Sequence, residues 1–202
     1  MIQTVIFDIG GVLIDWDPRH LYRKLFDDEA AMERFLAEIC TAAWNYTFDL
    51  GHSMKDGVAA LAKEHPDQAD RIEAYYTRWP EMVAGAIDGT PAILAALKAR
   101  GVGLYALSNF SMETFPHARA RFDFLGEFEG LVISGEEGVA KPDRRIYDLI
   151  LARYGLDPAA CLFIDDVPAN VEAARAVGID AVQFTGSDQL NRDLQSRGLD
   201  PA

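Results

Sequence analysis

Short apolar runs recur along the chain at Ile2 to Phe7, Val102 to Leu107, Leu131 to Ile133, Leu162 to Ile164 and Ala181 to Phe184. Most are separated by stretches with helical periodicity. Runs that are apolar throughout, instead of alternating, suit parallel strands buried on both faces. The helices between them are punctuated. Thr90 as N-cap, Pro91 at the first helical position and Gly101 past the end predict a helix over Ala92 to Arg100. Further helices are expected from Asp143 to Tyr154, stopped by Gly155, from Ala169 to Val177, stopped by Gly178, and from Asp188 to Arg197. Strand and helix alternate from about residue 86 to the end, which predicts an α/β fold with a doubly wound, Rossmann-like parallel sheet.

Residues 16–84 break that alternation. They hold no strand-like run and at least three helical patterns, one introduced by Ser53 and Asp56 in the manner of a capping box before Val58 to Lys63. A βαβ crossover needs only a dozen or more residues, so this stretch reads as an inserted small helical cap over the carboxyl end of the first strand. The expected division is a core of residues 1–15 and 85–202 and a cap domain of residues 16–84, with Pro80 and the segment from Gly85 to Thr90 as the return hinge.

Composition narrows the partners. Half of the 202 residues are apolar and a quarter are charged, a balance that supports a sizeable core. Nineteen Lys and Arg face 32 Asp and Glu, a formal net charge of -13 that repels nucleic acid and anionic membranes over most of the surface. A phosphorylated ligand needs a local exception to that field. Cys40 and Cys161 are too few for a disulfide framework and are expected to be reduced core thiols. The N-terminus lacks the regions of a signal peptide, and no window approaches the roughly 18 apolar residues of a membrane span. A cytoplasmic monomer or homodimer, with neither nucleic acid nor membrane as partner, is the expectation.

Ligands of open α/β sheets bind outside the carboxyl ends of the strands, so the first polar residue after each apolar run is where chemistry is expected. Asp8 stands after the first run, Ser108 and Asn109 after the second, and Asp165 with Asp166 after the fourth, while Lys141 follows the third run before Asp143. Three carboxylates brought this close repel one another and raise one another's pKa. A hard divalent cation such as Mg²⁺, which takes carboxylate and carbonyl oxygens, relieves the repulsion, with Lys141 balancing further charge. A phosphate fits the residual positive field, and an Asp beside a metal can attack it as a nucleophile. Phosphoryl transfer asks mainly for positioning and charge neutralisation, which the metal, the ammonium and small donors supply.

Phe7-Asp8-Ile9-Gly10-Gly11-Val12-Leu13, Leu107-Ser108-Asn109, Lys141-Pro142-Asp143 and Phe163-Ile164-Asp165-Asp166 resemble, in order, the four motifs of the haloacid dehalogenase superfamily, a group composed mostly of phosphatases. The helical insert resembles that superfamily's C1 cap, and Gly10 is similar to the α-D-glucose-1-phosphate phosphatase-like branch. The resemblance implies an Mg²⁺-dependent phosphatase for a small phosphorylated metabolite, a sugar phosphate, working through an aspartyl-phosphate. It implies Asp8 as nucleophile, Ser108 and Lys141 on the phosphoryl group, and Mg²⁺ on Asp8, the Gly10 carbonyl, Asp165 and Asp166. Asn109, Arg19 and Trp44 are the expected substrate contacts.

Gly10 is also a departure. Most phosphatases of the superfamily place there a second Asp, which protonates the leaving alkoxide and then deprotonates the hydrolytic water. General acid catalysis contributes about 10² to 10⁴-fold, so its loss predicts a slow enzyme or a substitute from Asp15, Asp17, Asp49 or His52. Two alternatives stay open. A 2-haloacid dehalogenase needs no such acid, although it binds no metal and lacks the acidic pair, and a catalytically weak binding protein of the same fold needs none either. A signalling receiver fits poorly, because its acidic pair comes first in the chain.

Overall fold

The computed structural model describes residues 1–200. Seven strands lie among them: β1 (Thr4–Phe7), β2 (Ile14–Trp16), β3 (Val83–Ala86), β4 (Gly103–Ser108), β5 (Gly130–Ile133), β6 (Cys161–Asp165) and β7 (Asp180–Gln183). Five form one sheet in the order β5-β4-β1-β6-β7, with every pairing parallel. The order doubles back on either side of β1, as in doubly wound folds, and opens a crevice at that strand's carboxyl end. Alternate residues of each strand feed two cores. Val5, Phe7, Leu104, Ala106, Leu162 and Ile164 are buried on one face, and Ile6, Leu107, Cys161 and Phe163 on the other. Each such side chain contributes on the order of 1.5–3 kcal/mol by leaving water, which is why the strands read as unbroken apolar runs.

Five helices lie between β2 and β3: α1 (Arg19–Tyr22), α2 (Glu29–Glu38), α3 (Ala42–Asp49), α4 (Met54–Glu64) and α5 (Ala69–Thr77). The rest accompany the sheet: α6 (Thr90–Ala99), α7 (Phe115–Arg121), α8 (Ser134–Glu137), α9 (Arg144–Tyr154), α10 (Pro168–Ala176) and α11 (Ser187–Ser196). Ile93, Leu94 and Leu97 of α6 and Leu190 and Leu194 of α11 close one face, while Ile146, Tyr147 and Ile150 of α9 with Val171 and Ala174 of α10 close the other. Ser53 caps α4 by accepting from the Asp56 N–H at 3.2 Å, and Asp143 caps α9 by accepting from the Arg145 N–H at 2.9 Å. Gly155 stops α9 in the left-handed conformation, φ 64°. Both cysteines are free and buried, and burial pushes the Cys40 thiol up to about 12. No helix among the described residues is long and apolar enough to cross a membrane.

Two local expectations are corrected. Gly89, at φ 83°, occupies the N-cap of α6, and Thr90 is instead its first residue, its hydroxyl donating to the Ile87 carbonyl at 2.9 Å. The turn needs a left-handed residue, which glycine supplies without strain. The stretch between the first two sheet strands is also not free of strands: β2 and β3 pair antiparallel, Ile14 opposite Ala86 and Asp15 opposite Gly85. Pro80 lies in a 3₁₀ turn, Trp79–Met82, and Gly85 within β3, so a two-stranded ribbon joins insert to sheet. Three or four residues carrying Asp15 or Gly85 lack the apolar run that marks a strand.

Candidate active site

The carboxyl end of the sheet gathers the polar residues. Asp8 follows β1, Ser108 ends β4, Asp165 ends β6, and Lys141 comes from the loop between α8 and α9. All four are buried. The Asp8 carboxylate accepts from the Ile9 N–H at 2.7 Å and from the Ser108 hydroxyl at 2.8 Å, and its second oxygen lies 2.9 Å from Lys141 Nζ. Lys141 Nζ also donates to Asp165 Oδ2 at 2.6 Å, with both side chains fully buried. The ammonium therefore bridges two carboxylates. Burial works against that charge, yet Asp8 and Asp165 outweigh it and hold the Lys141 pKa above its ordinary value. For Asp8, burial drives the carboxyl up to about 7, with Lys141 pulling it down and Asp165 pushing it up.

Asp166 completes an acidic trio. Asp8, Asp165 and Asp166 each offer an oxygen within 4.8 Å of the others. One ammonium faces three carboxylates, and burial followed by the neighbouring Asp165 raises the Asp166 pKa. That surplus of hard oxygen donors fits a divalent cation of the Mg²⁺ type. The donors are unequally available. Asp165 Oδ1 accepts from the Val167 N–H at 2.8 Å and from Asn170 Nδ2 at 3.0 Å, and its Oδ2 is held by Lys141. Gly11 stands against Asp166 at φ 72°, where a Cβ would come within 2.5 Å of the carboxylate, so the turn after Asp8 admits only glycine. Gly10 differs: a Cβ there would meet nothing within 4 Å.

Asn109 is drawn in as a splint. Its Oδ1 accepts from the Lys141 N–H at 2.8 Å and its Nδ2 donates to the Lys141 carbonyl at 2.9 Å, which fixes the loop carrying the ammonium. Arg19 and Trp44 find their side-chain partners within the insert. The Arg19 guanidinium is held by Glu33, at 2.5 and 2.8 Å, and by Asp17 at 3.3 Å. Trp44 packs edge-on against Phe48 and Tyr75 and lines an outer groove with His52.

A cavity of about 80 Å³ opens between the strand-end loops and the insert. Gly10, Asn109, Phe110, Ser111 and Thr114 form its core-side wall. Trp16, Asn45, Asp49, Met54 and Trp79 form the facing wall. Of the four expected acid substitutes only Asp49 lies there. Asp15 is paired with His20 at 3.1 Å and Asp17 with Arg19. Asp49 is half-buried and meets no cation directly; Asn45 Nδ2 approaches it at 3.4 Å. Burial pushes its carboxyl up to about 7, against the pull of Lys141. The Trp16 indole N–H is buried with no partner among the described residues. Reading along the chain did not find Asn170 or Asn45; for Asn170 the available signal was an amide in the first turn of the helix after the acidic pair.

A family model for haloacid dehalogenase-like hydrolases matches residues 2–178. A sesquiterpene phosphatase of Aspergillus oryzae is 27% identical over 92% of this chain and 91% of its own. A phosphatase of Mycobacterium tuberculosis is 27% identical over 98% of this chain and 95% of its own. Among solved structures, a family enzyme from Bacteroides thetaiotaomicron, in complex with magnesium and inorganic phosphate, superposes with a TM-score of 0.69 at 22% identity, covering 92% of this chain and 96% of its own.

Proposed function

Because the chain belongs to the haloacid dehalogenase-like hydrolases, we propose that it is an Mg²⁺-dependent phosphatase that hydrolyses a small phosphorylated metabolite, of the sugar phosphate class, with Asp8 as nucleophile. The observation that carries this reading is the buried Asp8 carboxylate held between Ser108 and Lys141 beside a third, unpaired acid, Asp166. The phosphatases of A. oryzae and M. tuberculosis, matched along nearly their whole length, support phosphatase activity.

The Ser108 hydroxyl and the Lys141 ammonium hold the phosphoryl oxygens and align phosphorus with Asp8, so that positioning replaces a collision. An Asp8 oxygen bonds to phosphorus as the bond to the leaving oxygen breaks, leaving an aspartyl-phosphate. Water then attacks that phosphorus, the Asp8 carboxylate is restored and inorganic phosphate departs. Asp8, the Gly10 carbonyl and Asp166 would hold the Mg²⁺, which supplies charge neutralisation for the phosphoryl oxygens. Asp165, with both oxygens engaged, keeps Lys141 charged and in place. The helical insert serves as the cap that closes the site from water. Aromatic faces of Trp16 and Trp79 with the Asn45, Ser111 and Thr114 side chains give it walls suited to a sugar.

The test is phosphate release from a panel of sugar phosphates and p-nitrophenyl phosphate, with and without Mg²⁺, with chloride release from 2-chloropropionate scored alongside. Metal-dependent phosphate release is expected. Metal-independent chloride release would replace this reading with a dehalogenase, a reaction for which Asp166 has no use.

A further inference from the structure

The space beside Gly10 is shaped for a group that Gly10 does not supply. A Cβ there would meet no atom within 4 Å, and Gly10 lines a cavity whose facing wall includes Asp49. We propose that Asp49, the last residue of α3, is the acid–base residue of this site, reaching from the insert into the gap that Gly10 leaves.

Three observations carry the assignment. First, the position of Asp49 is set by backbone contacts. Gly51, two residues on, packs so closely on α8 that a Cβ would come within 2.7 Å of the Gly135 carbonyl oxygen, and a Cβ on Gly135 would come equally close to the backbone of Phe110 and Met112. Across the same turn the Met54 N–H donates to the Glu113 carboxylate at 2.7 Å. The turn after α3 is thus pinned to the loop that follows β4, and Asp49 is held over that loop. Second, the rival carboxylates are spent: Asp15 on His20 and Asp17 on Arg19, while His52 lines the outer groove. Third, the surroundings of Asp49 favour a proton on it. It sits at the negative end of an eight-residue helix, half-buried, with an amide and no cation in hydrogen-bond reach. Burial moves its pKa towards neutrality, where a group can both give and take a proton.

The proton balance closes. As Asp8 displaces the substrate's leaving oxygen, that oxygen takes the proton of the Asp49 carboxyl and leaves as an alcohol. The Asp49 carboxylate then takes a proton from the water that attacks the aspartyl-phosphate, and the cycle returns to a protonated Asp49.

The assignment rests on the phosphatase reading, and leaving-group chemistry separates the two. A p-nitrophenolate leaves without a proton, whereas an alkoxide needs one. Comparing kcat/KM of wild type, Asp49→Asn and Asp49→Asn with Gly10→Asp on p-nitrophenyl phosphate and on an alkyl phosphate, with Mg²⁺ present, is the test. Asp49→Asn is expected to lose roughly 10²-fold or more on the alkyl phosphate and less than about threefold on the aryl one. Adding Gly10→Asp should restore part of the alkyl activity by returning the carboxyl to the open position. Asp15→Asn is the control and should leave both rates unchanged, with melting of every variant followed alongside. Equal losses of Asp49→Asn on both substrates, or none on the alkyl phosphate, would overturn the role of Asp49 alone. A wild type that releases phosphate from neither substrate would overturn the phosphatase reading and the assignment with it.

Discussion

At the strand ends, charge is buried and shared: Asp8, Lys141 and Asp165 are linked by contacts of 2.6 to 2.9 Å, with Asn170, Asn109 and backbone N–H groups filling the remaining positions. In the insert, the ion pairs of Arg19, Arg23 and Lys24 are at least a third exposed, and the one carboxylate that faces the cavity, Asp49, has no ionic partner. Exposed pairs of that kind are worth about 0–1 kcal/mol, whereas losing one member of a buried pair costs about 3–5 kcal/mol. The contrast divides the labour. The core holds a rigid electrostatic cradle that folding itself depends on, and the insert presents isolated groups that can change without disturbing the fold.

Substitutions sharpen that contrast in descending order of effect. Asp8→Asn should reduce phosphate release by roughly 10⁴-fold or more while the fold stays intact, because Lys141 keeps Asp165 as its buried partner and a carboxyl of raised pKa has been replaced by a neutral isostere. Lys141→Met should destabilise by about 3–5 kcal/mol, seen as a fall in Tm of roughly 10 °C, since two buried carboxylates lose their shared cation. Added Mg²⁺ should recover part of that loss, and an unchanged Tm would contradict the cradle.

The pH dependence follows from the raised acids. Folded Asp8 and Asp49 both titrate at about 7 against an ordinary value of 3.8. A carboxyl that binds its proton more tightly when folded contributes stability that is complete below its unfolded pKa and is lost as pH rises to its folded one. The metal-free protein should therefore lose melting temperature between about pH 4 and about pH 7, and Asp49→Asn should flatten part of the slope. Glu81 and Asp143, lowered to about 2 by their arginine partners, act in the opposite sense but stand in solvent, where screening reduces their weight. A Tm that climbs through this window would break the account.

Trp16→Phe removes a buried indole N–H that has no partner among the described residues. It should leave Tm unchanged or slightly higher and raise KM two- to tenfold, roughly the worth of one hydrogen bond to a ligand oxygen. Arg19→Gln sits at the bottom of the series: less than a twofold change in kcat/KM, because its donors are already committed to Glu33 and Asp17. A larger change would return Arg19 to the substrate site.

The two regions also differ in how far the chain announces them. Asp8, Ser108 and Asp165 each end or follow a strand whose apolar run is unbroken, so their convergence follows from parallel packing and needs no knowledge of side-chain direction. Nothing comparable orients the insert. Its helices meet the sheet through Gly51 on Gly135 and through Glu113 on Met54, contacts between residues far apart in the chain that leave no periodic signal. Hence Arg19 and Trp44, chosen for residue type, turn to other partners, while Asp49 stands among four candidates, three aspartates and His52, with nothing in the chain to separate it. The β2–β3 ribbon escaped for a related reason, its strands being too short to establish a period.

The central claim is that Asp8 becomes covalently phosphorylated in turnover. The most direct measurement is mass spectrometry of protein mixed with substrate and Mg²⁺, quenched in acid and digested. The account predicts that the peptide containing Asp8 gains the mass of one phosphoryl group and that Asp8→Asn does not. Phosphate released at a wild-type rate by Asp8→Asn, or a phosphoryl group trapped on any other residue, would contradict it.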